Sequence, residues 1–308
     1  MTVRSHLGGR TVGSPYVTPP PLPVPWFSAV RSASTSRYRT LSAERGTTAA
    51  AHAAAYGLTS REMRAGRSAV TVFAPDDLDV PAARVVFLHG GGLIAGTRFD
   101  GVETVLRHAS PLGLEVWSVE YPLAPEAPFD DIVDAAAGAV RAAASDDIRV
   151  LLAGQSAGGG VAAATALALR SGDAQPDGLM LICPMLSARE TCSAVQCADD
   201  PSWSAQSNET AWRVALGADP RRRPPGDEED LRGLRPTFLD AGAVEVFRDQ
   251  IISFASRLWA AGCAAELHVW SGAFHASDGV VADAPVSVEA HDARGRWLQR
   301  WLDRDLGI

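Results

Sequence analysis

From residue 69 onward, short apolar and β-branched runs alternate with longer alanine-rich stretches of helical spacing, the pattern of strands joined by helical crossovers in a mostly parallel sheet. Strands are predicted at 69–73, 85–88, 115–119, 150–153, 179–183, 237–240 and 267–270. The run 85–88 is apolar at every position, as a strand covered on both faces requires. Phe247, Ile251, Phe254 and Leu258 keep one apolar stripe at helical spacing, and Ala290, Trp297 and Trp301 keep another. An alanine-rich stretch at 47–56 reads as a further helix. The predicted fold class is therefore α/β.

Two segments depart from this pattern. Residues 1–45 hold Pro15, Pro19, Pro20, Pro21, Pro23 and Pro25 beside Tyr16, Trp26 and Phe27. Such a stretch favours extended polyproline backbone over a packed core and reads as an N-terminal arm, either a loose tail or a cover over a cleft or a partner. Residues 187–233 mix polar sequence with Trp203, Trp212, a run of three arginines from Arg221 and an acidic run from Asp227 to Asp230, and read as an insertion into a domain spanning 46–308. The acidic run has no convincing metal-ligand spacing, and no metal or cofactor is expected.

Composition narrows the chemistry. With 308 residues and 46% hydrophobic content the chain can bury a full core. A net charge of -8 lacks the basic field that a phosphate backbone would require, so nucleic acid is not an expected partner. All 28 basic residues are arginine, which excludes a lysine Schiff base, a P-loop lysine and an S-x-x-K nucleophile. The four cysteines, Cys183, Cys192, Cys197 and Cys263, form neither a disulfide framework nor a C-x-x-C pair. No apolar run suggests a signal peptide or a membrane span, and the expected location is the cytoplasm.

The chemistry gathers at two turns. Residues 150–153 run straight into Gly154-Gln155-Ser156-Ala157-Gly158 and then into a helical stretch, which is the strand, turn and helix that a G-x-S-x-G nucleophile requires. At that bend the backbone sits at a helix N-terminus, where unpaired N–H groups favour developing negative charge. His89-Gly90-Gly91-Gly92 follows the buried strand ending at Leu88, and its glycines let main-chain N–H groups come close to a reacting atom. A phosphate loop would instead need a lysine or G-x-G-x-x-G spacing at the start of a helix, and neither is present.

These two motifs, with Tyr121-Pro122-Leu123-Ala124-Pro125-Glu126 between them, resemble the hormone-sensitive-lipase-like branch of the α/β-hydrolases, and its bacterial carboxylesterases in particular. The resemblance runs from about residue 69 to the C-terminus. It implies an eight-stranded, mostly parallel sheet flanked by helices, with a helical cap that falls here at about 187–233. It also implies oxyanion donors at Gly91, Gly92 and Ala157, with His89 a structural residue of the loop. The chain departs from the usual pattern at Gln155, Gly160, Leu93 and Ile94, positions that bear on substrate choice.

A serine hydroxyl needs an imidazole to take its proton and a carboxylate to orient that imidazole, in the chain order serine, acid, histidine. Only His268, His275 and His291 follow Ser156. His268 lies within the last predicted strand and His291 in a helical pattern, whereas His275 occupies the loop after the strand and matches the family's catalytic position. The acid lies among Asp240, Glu245 and Asp249, and the resemblance places it on Glu245. The expected activity is a serine carboxylester hydrolase acting on a small to medium ester or lactone through an acyl-enzyme. Two other readings stand beside it, acyl transfer or lactonisation with the same triad and a non-catalytic ligand-binding protein. Self-association into a homo-oligomer is left open.

Overall fold

A computed structural model describes residues 48–306, so the Pro-rich arm at 1–45, with Trp26 and Phe27, lies outside the described residues. Its centre is an eight-stranded sheet. The strands are β1 (Thr59–Ala65), β2 (Ser68–Ala74), β3 (Ala83–Leu88), β4 (Leu114–Glu120), β5 (Val150–Gln155), β6 (Gly178–Ile182), β7 (Thr237–Val244) and β8 (Ala265–Phe274). In space they run β1-β2-β4-β3-β5-β6-β7-β8, with antiparallel pairing at β1–β2 and β2–β4 and parallel pairing throughout the rest.

The helices that matter below are α1 (Ala49–Tyr56), α2 (Phe129–Ala143), α3 (Ala157–Leu169), α4 (Cys192–Gln196), α5 (Ala205–Leu216), α6 (Arg248–Ala260) and α7 (Pro285–Leu302). Alternation along β3 decides what each sheet face touches. Val86 and Leu88 join Phe129, Ile132, Val161, Ile251 and Phe254 of α2, α3 and α6 on one side. Val85 and Phe87 join Trp297 and Trp301 of α7 on the other. Both faces are therefore covered, which explains why β5 and β6 are buried along their whole length. Helix α3 is apolar almost all round because it is wedged between the sheet and α2.

Strand β1 lay outside the expected set. In its sequence, Thr59-Ser60-Arg61-Glu62-Met63-Arg64-Ala65, only Met63 and Ala65 meet the core, and the strand is held mainly by its ladder to β2. The block at 187–233 also holds more order than its composition suggested. Thr191 caps α4 and Ser204 caps α5 by accepting hydrogen bonds from Ala194 and Ser207 N–H. Trp212 of α5 is fully buried and meets Phe129 edge-on, so it is core packing and not an open pocket wall. Among the described residues, no helix is long and apolar enough to cross a membrane.

One half-buried carboxylate makes stability pH-dependent. Burial raises the Glu103 pKa to about 7 from the ordinary 4.5, with Asp278 and Asp100 adding repulsion. Because the folded value lies above the unfolded one, this group's stabilising contribution is complete below about pH 4.5 and lost as pH rises through 7. At 1.36 kcal/mol per unit the loss is about 3 kcal/mol. Glu103→Gln should therefore raise the melting temperature by several degrees at pH 8.5 and by little at pH 4.5. Thermal melts of both proteins at the two pH values check it, and an equal shift at both would show that the carboxylate charge is not the cause.

Candidate active site

Ser156 sits at the bend between β5 and α3 with φ 55° and ψ -120°, a conformation rare for a residue with a Cβ. Main-chain bonds hold it there. Its N–H donates to the Ile182 carbonyl at 2.8 Å, and its own carbonyl accepts from Met185 N–H at 2.8 Å and Gly160 N–H at 3.1 Å. The flanking glycines are needed because a Cβ at Gly154 would strike the Gly158 carbonyl and one at Gly158 the Leu88 carbonyl. The second of these contacts joins the serine bend to the strand that leads into the glycine loop.

That loop lies directly against the serine, since a Cβ built on Gly90 would stand 3.5 Å from Ser156 Cβ. Gly91 and Gly92 have φ 117° and 63°, conformations that glycine adopts without strain. Ala157 is the first residue of α3, so its N–H has no acceptor within the helix. His89 braces the loop: its ring is buried and stacks on Tyr121 at 4.1 Å, and its Nδ1 bonds the Gly90 carbonyl at 2.7 Å. The Tyr121 hydroxyl donates to the His89 carbonyl at 2.7 Å, and Ala124 N–H donates to the Leu93 carbonyl at 2.9 Å. Tyr121 and Ala124 of the third motif thus support the glycine loop. Burial lowers the His89 pKa, which keeps the imidazole neutral.

His275 lies on the turn after β8, at hydrogen-bonding distance from two of the predicted partners. Its Nε2 is 2.9 Å from Ser156 Oγ and its Nδ1 is 2.7 Å from Glu245 Oε2. Phe247 meets the imidazole edge-on at 4.9 Å and limits its rotation. Glu245, three residues beyond Gly242, accepts the Gly242 N–H through Oε1 at 3.1 Å. Burial raises the Glu245 pKa, and the hydrogen bonds from His275 and Gly242 oppose that rise. All three side chains are buried.

The other candidates lie elsewhere. Asp240 is within β7 and pairs with Arg294, with Arg294 Nη2 at 2.6 Å from Asp240 Oδ2. Asp249, in the first turn of α6, accepts Ser193 N–H at 2.7 Å and so tethers α4. His268 is in β8, stacked between Phe238 and Trp270, and His291 is in α7. A Cβ on Gly92 would strike the Trp203 indole, so Trp203 touches the glycine loop from the 187–233 block. Gly160 has no room for a side chain, because a Cβ there would strike the Met185 carbonyl.

Cys183 was not anticipated near the site. Its Sγ, a His275 nitrogen and a Glu245 oxygen lie within 4.8 Å of one another, donors of the kind a thiophilic cation takes. Both imidazole nitrogens are already hydrogen-bonded, and burial raises the thiol pKa well above its ordinary value, so the sulfur is held as a neutral thiol.

Residues 85–278 match a family model described as alpha/beta hydrolase fold. The chain is 30% identical over 230 residues to the esterase LipI of Mycobacterium tuberculosis, covering 70% of this chain and 71% of that one. It is 35% identical over 119 residues to the hormone-sensitive lipase of Mus musculus, covering 36% of this chain and 16% of that much longer protein. A solved bacterial heroin esterase superposes with a TM-score of 0.79 at 30% identity, covering 90% of this chain and 93% of the other.

Proposed function

The chain belongs to the alpha/beta hydrolase fold family, in its hormone-sensitive-lipase-like branch of carboxylesterases, and from that premise we propose that it cleaves small to medium carboxylic esters or lactones through an acyl-enzyme on Ser156. The observation that carries this reading is the single hydrogen-bonded line from Ser156 Oγ through His275 to Glu245, at 2.9 and 2.7 Å.

In the first half-reaction Ser156 Oγ attacks the ester carbonyl while His275 Nε2 takes its proton. The imidazolium so formed is stabilised and held in one tautomer by Glu245, to which Nδ1–H donates. Negative charge develops on the former carbonyl oxygen, and the N–H groups of Gly91, Gly92 and Ala157 receive it. Each such donor is worth about 2.7 to 4 kcal/mol of barrier, because it is fixed in place before the charge appears. His275 then protonates the departing alcohol oxygen. Water enters, gives its proton to His275 and attacks the acyl carbon, and His275 passes that proton to Ser156 Oγ as the acid departs.

Residues 187–233 act as the cap over this site. Trp203, itself buried, packs on Gly92 beside the oxyanion donors, and its bulk there favours compact acyl groups. The four cysteines are free and fit a reducing compartment, so the reading places the enzyme in the cytoplasm.

A fluorophosphonate probe tests the covalent step. We expect one adduct per chain on the peptide holding Ser156, with labelling slowed by p-nitrophenyl acetate and turnover lost in step with adduct formation. Undiminished ester hydrolysis by fully labelled protein, or an adduct on another residue, would overturn the reading.

A further inference from the structure

Behind the triad lies a second buried constellation that the mechanism does not use. Arg294 of α7, 2% exposed, holds two carboxylates at once. Its Nε and Nη2 donate to Asp240 Oδ2 at 2.9 and 2.6 Å, and its Nη1 donates to Asp278 Oδ2. Asp240 lies on β7, five residues before Glu245, and Asp278 lies three residues after His275. Asp240 Oδ1 also accepts Cys183 N–H at 3.2 Å, two residues before the Met185 N–H that holds the Ser156 carbonyl.

The energetics argue against a role in stability alone. Removing three charged groups from water costs about as much as their mutual attraction returns, and well-packed apolar side chains serve as well or better. What such a network offers is a fixed spacing between the elements it joins. Here those elements are the strand leading to Glu245, the turn that follows His275 and the loop bracing Ser156. The geometry points to Arg294 as a positioning residue: by holding Asp240 and Asp278 on one guanidinium, it fixes the separation between the segments that carry the acid, the imidazole and the serine. This rests on the triad reading above.

The test uses the full chain and a charge-free replacement, Arg294→Met with Asp240→Asn and Asp278→Asn, which leaves no orphaned ion buried. Arg294→Lys, which keeps the charge but not the two-way fork, is measured beside it. Active sites are counted with fluorophosphonate. Per titrated site, kcat for p-nitrophenyl acetate should fall about 100-fold in the triple variant and about 10-fold in Arg294→Lys, with KM within about twofold. The low-field proton resonance of the His275 Nδ1–H bonded to Glu245 should shift or broaden in both. Wild-type kcat and an unchanged resonance in either folded variant would overturn the inference, and if the triple variant does not fold, Arg294→Lys and Asp278→Asn decide it on the same two readings. Failure of the underlying reading looks different: Ser156→Ala would then keep its turnover, whereas failure of the positioning role leaves Ser156→Ala inactive and the Arg294 variants intact.

Discussion

Turnover of p-nitrophenyl esters by Ser156→Ala is expected to fall by on the order of 10⁴-fold or more, with KM little changed. On the proposed mechanism the variant loses the atom that would bond the acyl group and keeps the residues proposed as cap and oxyanion donors. Structure should be preserved, because alanine shares the Cβ that serine carries at φ 55°, and the main-chain bonds to Ile182, Met185 and Gly160 do not involve the hydroxyl. Steady-state kinetics on purified protein measure the loss, with circular dichroism to verify folding. A variant retaining a tenth of wild-type kcat would remove Ser156 from the reaction.

Glu245→Gln should cost about 10⁴-fold in kcat, close to the serine variant and far more than Asp240→Asn. The amide can donate to His275 Nδ1 and so favour the tautomer with its proton on Nε2, which cannot accept from Ser156. It also withdraws the negative charge that balances the imidazolium. Stability should not fall, because the wild-type carboxylate is buried and its pKa is raised by that burial. Asp240 tests the assignment from the other side. It contacts Arg294, Trp270 and Cys183 rather than His275, so its substitution acts only through geometry and should cost no more than about 100-fold. Equal losses at the two positions would count against Glu245 as the acid.

Much of this was legible along the chain because the relevant signals are local. A strand, a bend and a helix at 150–169 place Ser156 without any long-range information, and the apolar run at 85–88 does the same for the glycine loop. His275 followed from its place on the loop after the last strand, its two rivals lying in regular elements, together with the family position that the resemblance implies. Less local features were not readable. Strand β1 turns only Met63 and Ala65 to the core, too short an alternation to mark a strand without its partner. β7 and β8 run four residues past the predicted ends, because their tips pair with each other across a bulge near Gly242 rather than through apolar alternation. The helices at 192–196 and 205–216 begin with capping residues, Thr191 and Ser204, but lack the regular stripe that marks a surface helix. The Arg294 network joins residues 54 and 16 positions apart, a spacing with no period.

Contact between Gly158 and the Leu88 carbonyl means that the Ser156 bend and the glycine loop are machined from one block of main chain. Their spacing is set by backbone against backbone and cannot be tuned by exchanging side chains. Laboratory evolution of this scaffold toward new esters would therefore find dead positions at Gly154 and Gly158, where neighbouring backbone leaves no room for a side chain. Useful variation should concentrate instead around Trp203, the indole that residues 187–233 pack against Gly92.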